Sequence, residues 1–241
     1  MMNPPTTQKC PSTTSWGIKW LILTFSISIS IILLDSFVTF TPFYILLISP
    51  FIIFFGYGSA FLAQRFATYP HNFRKHPMCY LSQTEVFGIA NHRSKLIVQG
   101  FFISWALLYF FLGTILRDHF SFNLYLNAFG ITFYCCALII LLLGIIPINL
   151  FRNLHLTLTF IKFGMQYIAS VFLLVCLIQI RHYFPKNPWM YYLGVLYYLL
   201  SSTAYIISYI LQKNASLYQN FWVIGNFLGL WALIAAFISL I

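Results

Sequence analysis

Acidic residues are nearly missing from this chain: Asp35, Glu85 and Asp118 are the three among 241 residues. Paired carboxylates for acid–base chemistry and an oxygen-rich metal site are therefore not expected. Charge of either sign is scarce, at 7% of residues, where a soluble domain carries about 25%. The five cysteines include no Cys-x-x-Cys pair and no disulfide framework. Cys135, Cys136 and Cys176 fall inside apolar runs, where Cys behaves as a small hydrophobe. No Gly-rich nucleotide loop, metal-ligand cluster or solenoid repeat is found.

What is present is apolar. The chain is 61% hydrophobic and 20% aromatic, with a mean hydropathy of +0.85. That composition belongs to a membrane protein. The net charge of +10 would suggest nucleic acid in a soluble protein, but here the basic residues lie between apolar runs. They read instead as determinants of bilayer orientation and of attraction to anionic lipid, with no nucleic-acid partner.

A helix needs about 20 apolar residues to cross a hydrocarbon core of about 30 Å. Seven stretches approach that length: 18–34, 42–63, 96–116, 124–146, 156–180, 189–211 and 221–241. None shows the ten-residue alternation of barrel strands. The expected fold is all-α, a polytopic transmembrane helix bundle of seven spans. Residues 1–17 form a cytoplasmic tail, and 18–241 a single membrane domain with a basic loop at 64–95. The first apolar run is too long for a cleavable signal. Trp16, Trp20, Trp189 and Trp222 open segments as interfacial anchors.

With seven spans, Lys9, Lys19, Arg65, Arg74, Lys75, Arg93, Lys95, Arg152, Lys162 and Lys213 share one side. Arg117, Arg181 and Lys186 hold the other. The imbalance puts the N-terminus in the cytoplasm and the C-terminus outside. A re-entrant 18–34 segment would leave six spans and move the N-terminus across. The Asn214-Ala215-Ser216 sequon falls on the cytoplasmic side and is read as incidental.

Polar residues inside the spans are few. His155, Thr159, Lys162, Gln166 and Ser170 are spaced 4, 3, 4 and 4, which places them on one helix face. A lipid-facing Lys at mid-bilayer would cost about 2.5–3.5 kcal/mol, so the stripe is expected to face the bundle. Lys162 then lies about 10 Å deeper than His155, from a rise of about 1.5 Å per residue. Two readings are open: a headgroup site, or a snorkelling Lys with interhelical hydrogen bonds. Tyr191, Tyr198, Ser202, Tyr205 and Tyr209 form a second stripe, read as packing. Gly56 with Ala60, Gly100 with Ser104, and Gly225 with Gly229 permit close helix approach. His71, His76 and His92 share the long loop without metal-ligand spacing. A Ser82, His92, Asp118 triad fails because Asp118 belongs to the opposite side.

The run "YLSQTEVFGIANHRSKLIVQGFFISWALLYFF" at 80–111, with Leu81-Ser82, Asn91, Gly100, Gly144, Pro147, His155 and Phe160, resembles the Frag/DRAM/Sfk group of multi-spanning membrane proteins and its uncharacterised prokaryotic relatives. That group places a Ser-containing loop before an apolar helix, Gly-x-x-Pro at one helix end and a His opening the next. The resemblance covers about 42–241 and implies six helices, leaving 18–34 as an addition. The acid that often follows the loop Ser is Gln83 here. The group's first loop is expected outside the cytoplasm, whereas charge counting puts 64–95 inside. Eukaryotic members are implicated in glycolipid-anchor remodelling and autophagy regulation.

Three functions follow as expectations. The first is binding or organising anionic phospholipid without catalysis, with Arg93, Lys95, Arg152, His155, Lys162 and Gln166 as headgroup candidates and no cofactor or metal. The second is acyl or headgroup transfer on lipid, with His155 as base and Lys162 holding a phosphate. A small-solute transporter ranks last, since coupling ordinarily uses a buried carboxylate. The expected setting is the inner membrane of a prokaryote, or otherwise an endomembrane. Cysteine-accessibility or reporter-fusion mapping should place the N-terminus and the 64–95 loop inside and Ile241 outside. A map with both termini on one side would remove the 18–34 span.

Overall fold

The computed structural model describes residues 42–72, 75–184, 188–211 and 215–241, with isolated positions 19, 22, 23 and 26. The expected tail and, apart from those positions, the expected first span lie outside the described residues, as do Arg74, Lys186, Lys213 and Asn214. Six described helices are long and apolar enough to cross a bilayer. They are α1 (Pro42–Arg65), α2 (His92–His119), α3 (Leu124–Ile145), α4 (Arg152–Gln179), α5 (Trp189–Ile210) and α6 (Ala215–Ile238). The chain is thus an all-helical multi-pass membrane protein; among the described residues the connections hold two short 3-10 turns and one two-stranded hairpin.

Each helix has a local cause. Pro50 lies inside α1 and cannot donate to the carbonyl four residues back. Ser49 Oγ donates to that same carbonyl, Leu46 O, at 3.1 Å, so the helix continues. Asn123 opens α3 by accepting from the N–H groups of Tyr125 and Leu126 at 3.0 and 3.2 Å. Pro147 stops α3, and its own carbonyl accepts from Leu150 and Phe151 to start the turn into α4. That helix begins at Arg152, four residues before the apolar stretch 156–180.

The two helices richest in buried side chains, α2 and α6, stand at the centre; 83% and 72% of their apolar windows are buried. Against α2 pack α1, α3 and α6; α6 also pairs with α5, and α4 bridges α3 and α5. Small residues set these approaches. A Cβ on Gly56 would come 3.0 Å from Ser104 Cβ, so the missing side chain of Gly56 permits the α1–α2 approach at Ser104. Gly225 and Gly229 lie under Tyr198 of α5, with a Cβ on Gly229 only 2.7 Å from Tyr198 Cβ. Gly113 and Gly130, which carried no signal in the sequence, meet across α2 and α3; each would bring a Cβ to 3.0 Å from the other's carbonyl.

The described parts of the connection after α1, 66–72 and 75–91, cover one end of the bundle. Asn91 Nδ2 lies 3.3 Å from the carbonyls of Leu81 and Gln83, and Ser94 Oγ donates to Leu81 O at 3.1 Å. Met78 N–H donates to Gln219 Oε1 of α6 at 3.1 Å, and Asn149 Nδ2 donates to Thr84 Oγ1 at 2.9 Å. A hairpin not expected from the sequence pairs β1 (Glu85–Val86) antiparallel with β2 (Ile89–Ala90). Its turn holds Phe87 at φ 54° and Gly88 at φ 77°. A non-glycine residue there costs about 1–2 kcal/mol. Contacts of Phe87 with Tyr69, His76 and Tyr80, at ring separations of 5.8–6.2 Å, offset it. Burial, with His76 nearby, pushes the His71 ring down to about 4. The ring is therefore neutral, and its Nδ1 shares a hydrogen bond with Tyr69 OH at 2.7 Å.

Gly229→Val should lower the thermal midpoint in detergent micelles, since overpacking a tight contact costs about 1–3 kcal/mol. Gly58→Ala, where a Cβ meets nothing within 4 Å, should leave it unchanged or raised. Equal effects from the two would show that the α5–α6 approach does not depend on the missing side chain.

Candidate functional site

The α4 stripe turns inward. His155, Lys162, Gln166 and Ser170 are buried, Lys162, Gln166 and Ser170 to 1% exposure each, and Thr159 is half-buried. Against the stripe stand one turn of α2, carrying Trp105 and Tyr109, and one turn of α6, carrying Trp222 and Asn226.

Three helices are joined there by side-chain hydrogen bonds. Trp105 Nε1 donates to Asn226 Oδ1 at 2.8 Å, and Asn226 Nδ2 donates to Gln166 Oε1 at 2.9 Å. Tyr109 OH reaches both Asn226 Oδ1, at 3.0 Å, and Gln166 Oε1. One turn away, Lys162 Nζ sits 4.1 Å from the Trp105 ring centroid, 4.9 Å from Trp222 and 5.0 Å from Tyr109. It has no hydrogen-bond partner among the described residues. Three ring faces at about 0.5–2 kcal/mol each offset the insertion cost of about 2.5–3.5 kcal/mol for a mid-membrane Lys. The ammonium is thus held by aromatic faces, with no carboxylate among the described residues beside it.

Toward the loop-bearing end, His155 Nδ1–H donates to Ile146 O at 2.8 Å, tying the first turn of α4 to the end of α3. In the neutral ring this leaves Nε2 as the acceptor. Thr159 Oγ1 donates to His155 O at 2.8 Å. A crevice of about 50 Å³ runs from His155 past Thr159 to Lys162. Its walls are Trp105, Trp222, Phe101 and Phe102, and Met78, Cys79 and Gln219 close over it.

The other headgroup candidates lie elsewhere. Arg93 and Lys95 are in the first turn of α2 and Arg152 opens α4, all at the loop-bearing end, and none lines the crevice. Gln166 belongs to the amide chain below it. An open cleft of about 510 Å³ beside α1 carries Arg65 and His71. Trp222 is not an interfacial anchor: it is 4% exposed and stacks on Tyr205 at 5.3 Å, whereas Trp189 is 51% exposed. In the Tyr stripe of α5, Tyr198 and Ser202 are buried and Tyr209 is exposed, an arrangement of packing. His92 and Asp118 stand near opposite ends of α2, about 39 Å apart by helical rise, which rules out the paper triad. No group of three or more His, Cys, Asp or Glu side chains among the described residues could hold a metal ion.

The sequence reading missed Trp105, Tyr109 and Asn226. The available signal was two i, i+4 pairs, Trp105 with Tyr109 and Trp222 with Asn226, on helices that could face the α4 stripe.

Asn226→Leu strands Trp105 Nε1 and leaves Tyr109 OH with Gln166 Oε1 alone, and should cost about 1–3 kcal/mol in thermal unfolding. Lys162→Met keeps the side-chain length, removes a desolvated charge and strands no partner, so it should be neutral or stabilising. A Lys162→Met loss as large as that of Asn226→Leu would make the ammonium, not the amide chain, the tie between the helices. Comparison of the chain with family models, with curated proteins and with solved structures gives no match, so the site is read from its own geometry.

Proposed function

We propose that this multi-pass membrane protein binds or organises anionic phospholipid at its loop-bearing end, without catalysis. One observation carries the reading: the described basic side chains gather at that end. Arg65, Lys75, Arg93, Lys95 and Arg152 are there, against Arg117 and Arg181 at the other. Glu85 is the one described acid among them. Each juxtamembrane cation adds about 1 kcal/mol of attraction to an anionic surface. The same asymmetry favours a cytoplasmic position for this end. The six described helices equal the number that the Frag/DRAM/Sfk resemblance implies, and kinship with that group is part of the proposal.

The transferase reading has less support. Ser82 Oγ donates to Cys79 O and Thr159 Oγ1 to His155 O, so neither hydroxyl is turned toward a base.

Native mass spectrometry after extraction in mixed anionic and zwitterionic lipid tests the proposal. The wild type should retain anionic lipid preferentially, and Arg93→Gln/Lys95→Gln/Arg152→Gln should lose that preference several-fold. Retention unchanged by the triple substitution would reduce the basic end to a determinant of topology.

A further inference from the structure

Lys162 presents a problem that lipid at the rim does not solve. It is 1% exposed, and its three N–H donors meet ring faces but no acceptor among the described residues. Buried donors are ordinarily satisfied. The described acids offer no counter-charge, since Glu85 is in the covering hairpin and Asp118 ends α2 on the far side. Around the crevice Thr159 Oγ1–H is committed to His155 O and His155 Nδ1–H to Ile146 O, while Trp222 Nε1–H, like Lys162, has no acceptor among the described residues. Lys162 is left as the cation facing that space.

We propose that Lys162, in its box of Trp105, Trp222 and Tyr109, binds one small monovalent inorganic anion of the halide class. Size selects the ligand. The crevice, about 50 Å³, has room for roughly four waters at about 10–15 Å³ each, enough for one monatomic anion with a water or two. A phosphodiester with its glycerol backbone does not fit. The walls select in the same direction: Phe101, Phe102, Trp105 and Trp222 make an apolar lining that suits a weakly hydrated anion over a strongly hydrated one. Met78, Cys79 and Gln219 line the crevice at the loop-bearing end, where the basic side chains raise the local anion concentration. The site is independent of lipid binding at the rim.

Trp105 and Trp222 are built-in reporters, within 4.1 and 4.9 Å of Nζ. Full-length protein in phosphatidylcholine nanodiscs is titrated with iodide at constant ionic strength, and tryptophan emission is followed. The expected result is a saturable quenching component above a linear background, displaced by bromide, and absent in Lys162→Met and Lys162→Gln that remain monodisperse. The Arg93→Gln/Lys95→Gln/Arg152→Gln variant should keep the saturable component even where it loses lipid. Linear quenching alone, or the same saturable component in both Lys162 variants, overturns the proposal. So does loss of the component when the nanodiscs contain anionic lipid, which would give the ammonium to a headgroup.

Discussion

Trp105 Nε1–H can only donate, and that single fact orients the polar centre of the bundle. Asn226 must turn its oxygen to the indole, which sends its NH₂ toward α4. Gln166 must then present its oxygen in return. The one hydrogen of Tyr109 is shared between two acceptors whose directions are already fixed. In hydrocarbon there is no water to accept a misdirected amide, so the choice made at the indole runs through α2, α6 and α4. Ridge packing alone would allow these helices to slide by a turn; a directed chain of donors and acceptors does not.

That chain divides the α4 stripe into two parts. Gln166 is absorbed into structure. Above it, Lys162 has aromatic faces and no hydrogen-bond acceptor among the described residues. His155 is fixed by the end of α3 and the crevice lies between the two. The cover formed by 75–91 is bonded to α6 through Gln219 and to the α3–α4 turn through Asn149, so it belongs to the same unit as the crevice beneath it.

Hydropathy made the six described helices legible because the bilayer enforces a minimum apolar length. The inward direction of the stripe was legible for a related reason, the cost of polar groups in lipid. The ends were less so: α6 begins at Ala215, six residues before the apolar run suggested, which puts Trp222 two turns inside and explains why an anchor was expected there. The hairpin escaped because Phe87-Gly88 lacks the Asn-Gly signature of a tight turn. Partners across helices, Trp105 with Asn226 above all, are set by the order of packing, which the periodicity of one helix does not contain.

The direction of the helices bears on the rim. The three joined by the amide chain, α2, α4 and α6, all begin at the loop-bearing end, so their partial positive poles lie together there. Arg93, Lys95 and Arg152 occupy the first turns of α2 and α4, the pole where a cation is unfavourable by about 0.3–1 kcal/mol. No acid is found in either first turn to relieve them. These cations therefore weaken the helices that carry them. An anion arriving at this end would meet side-chain charge and backbone dipole of the same sign, and would relieve in the helices a repulsion already present without it.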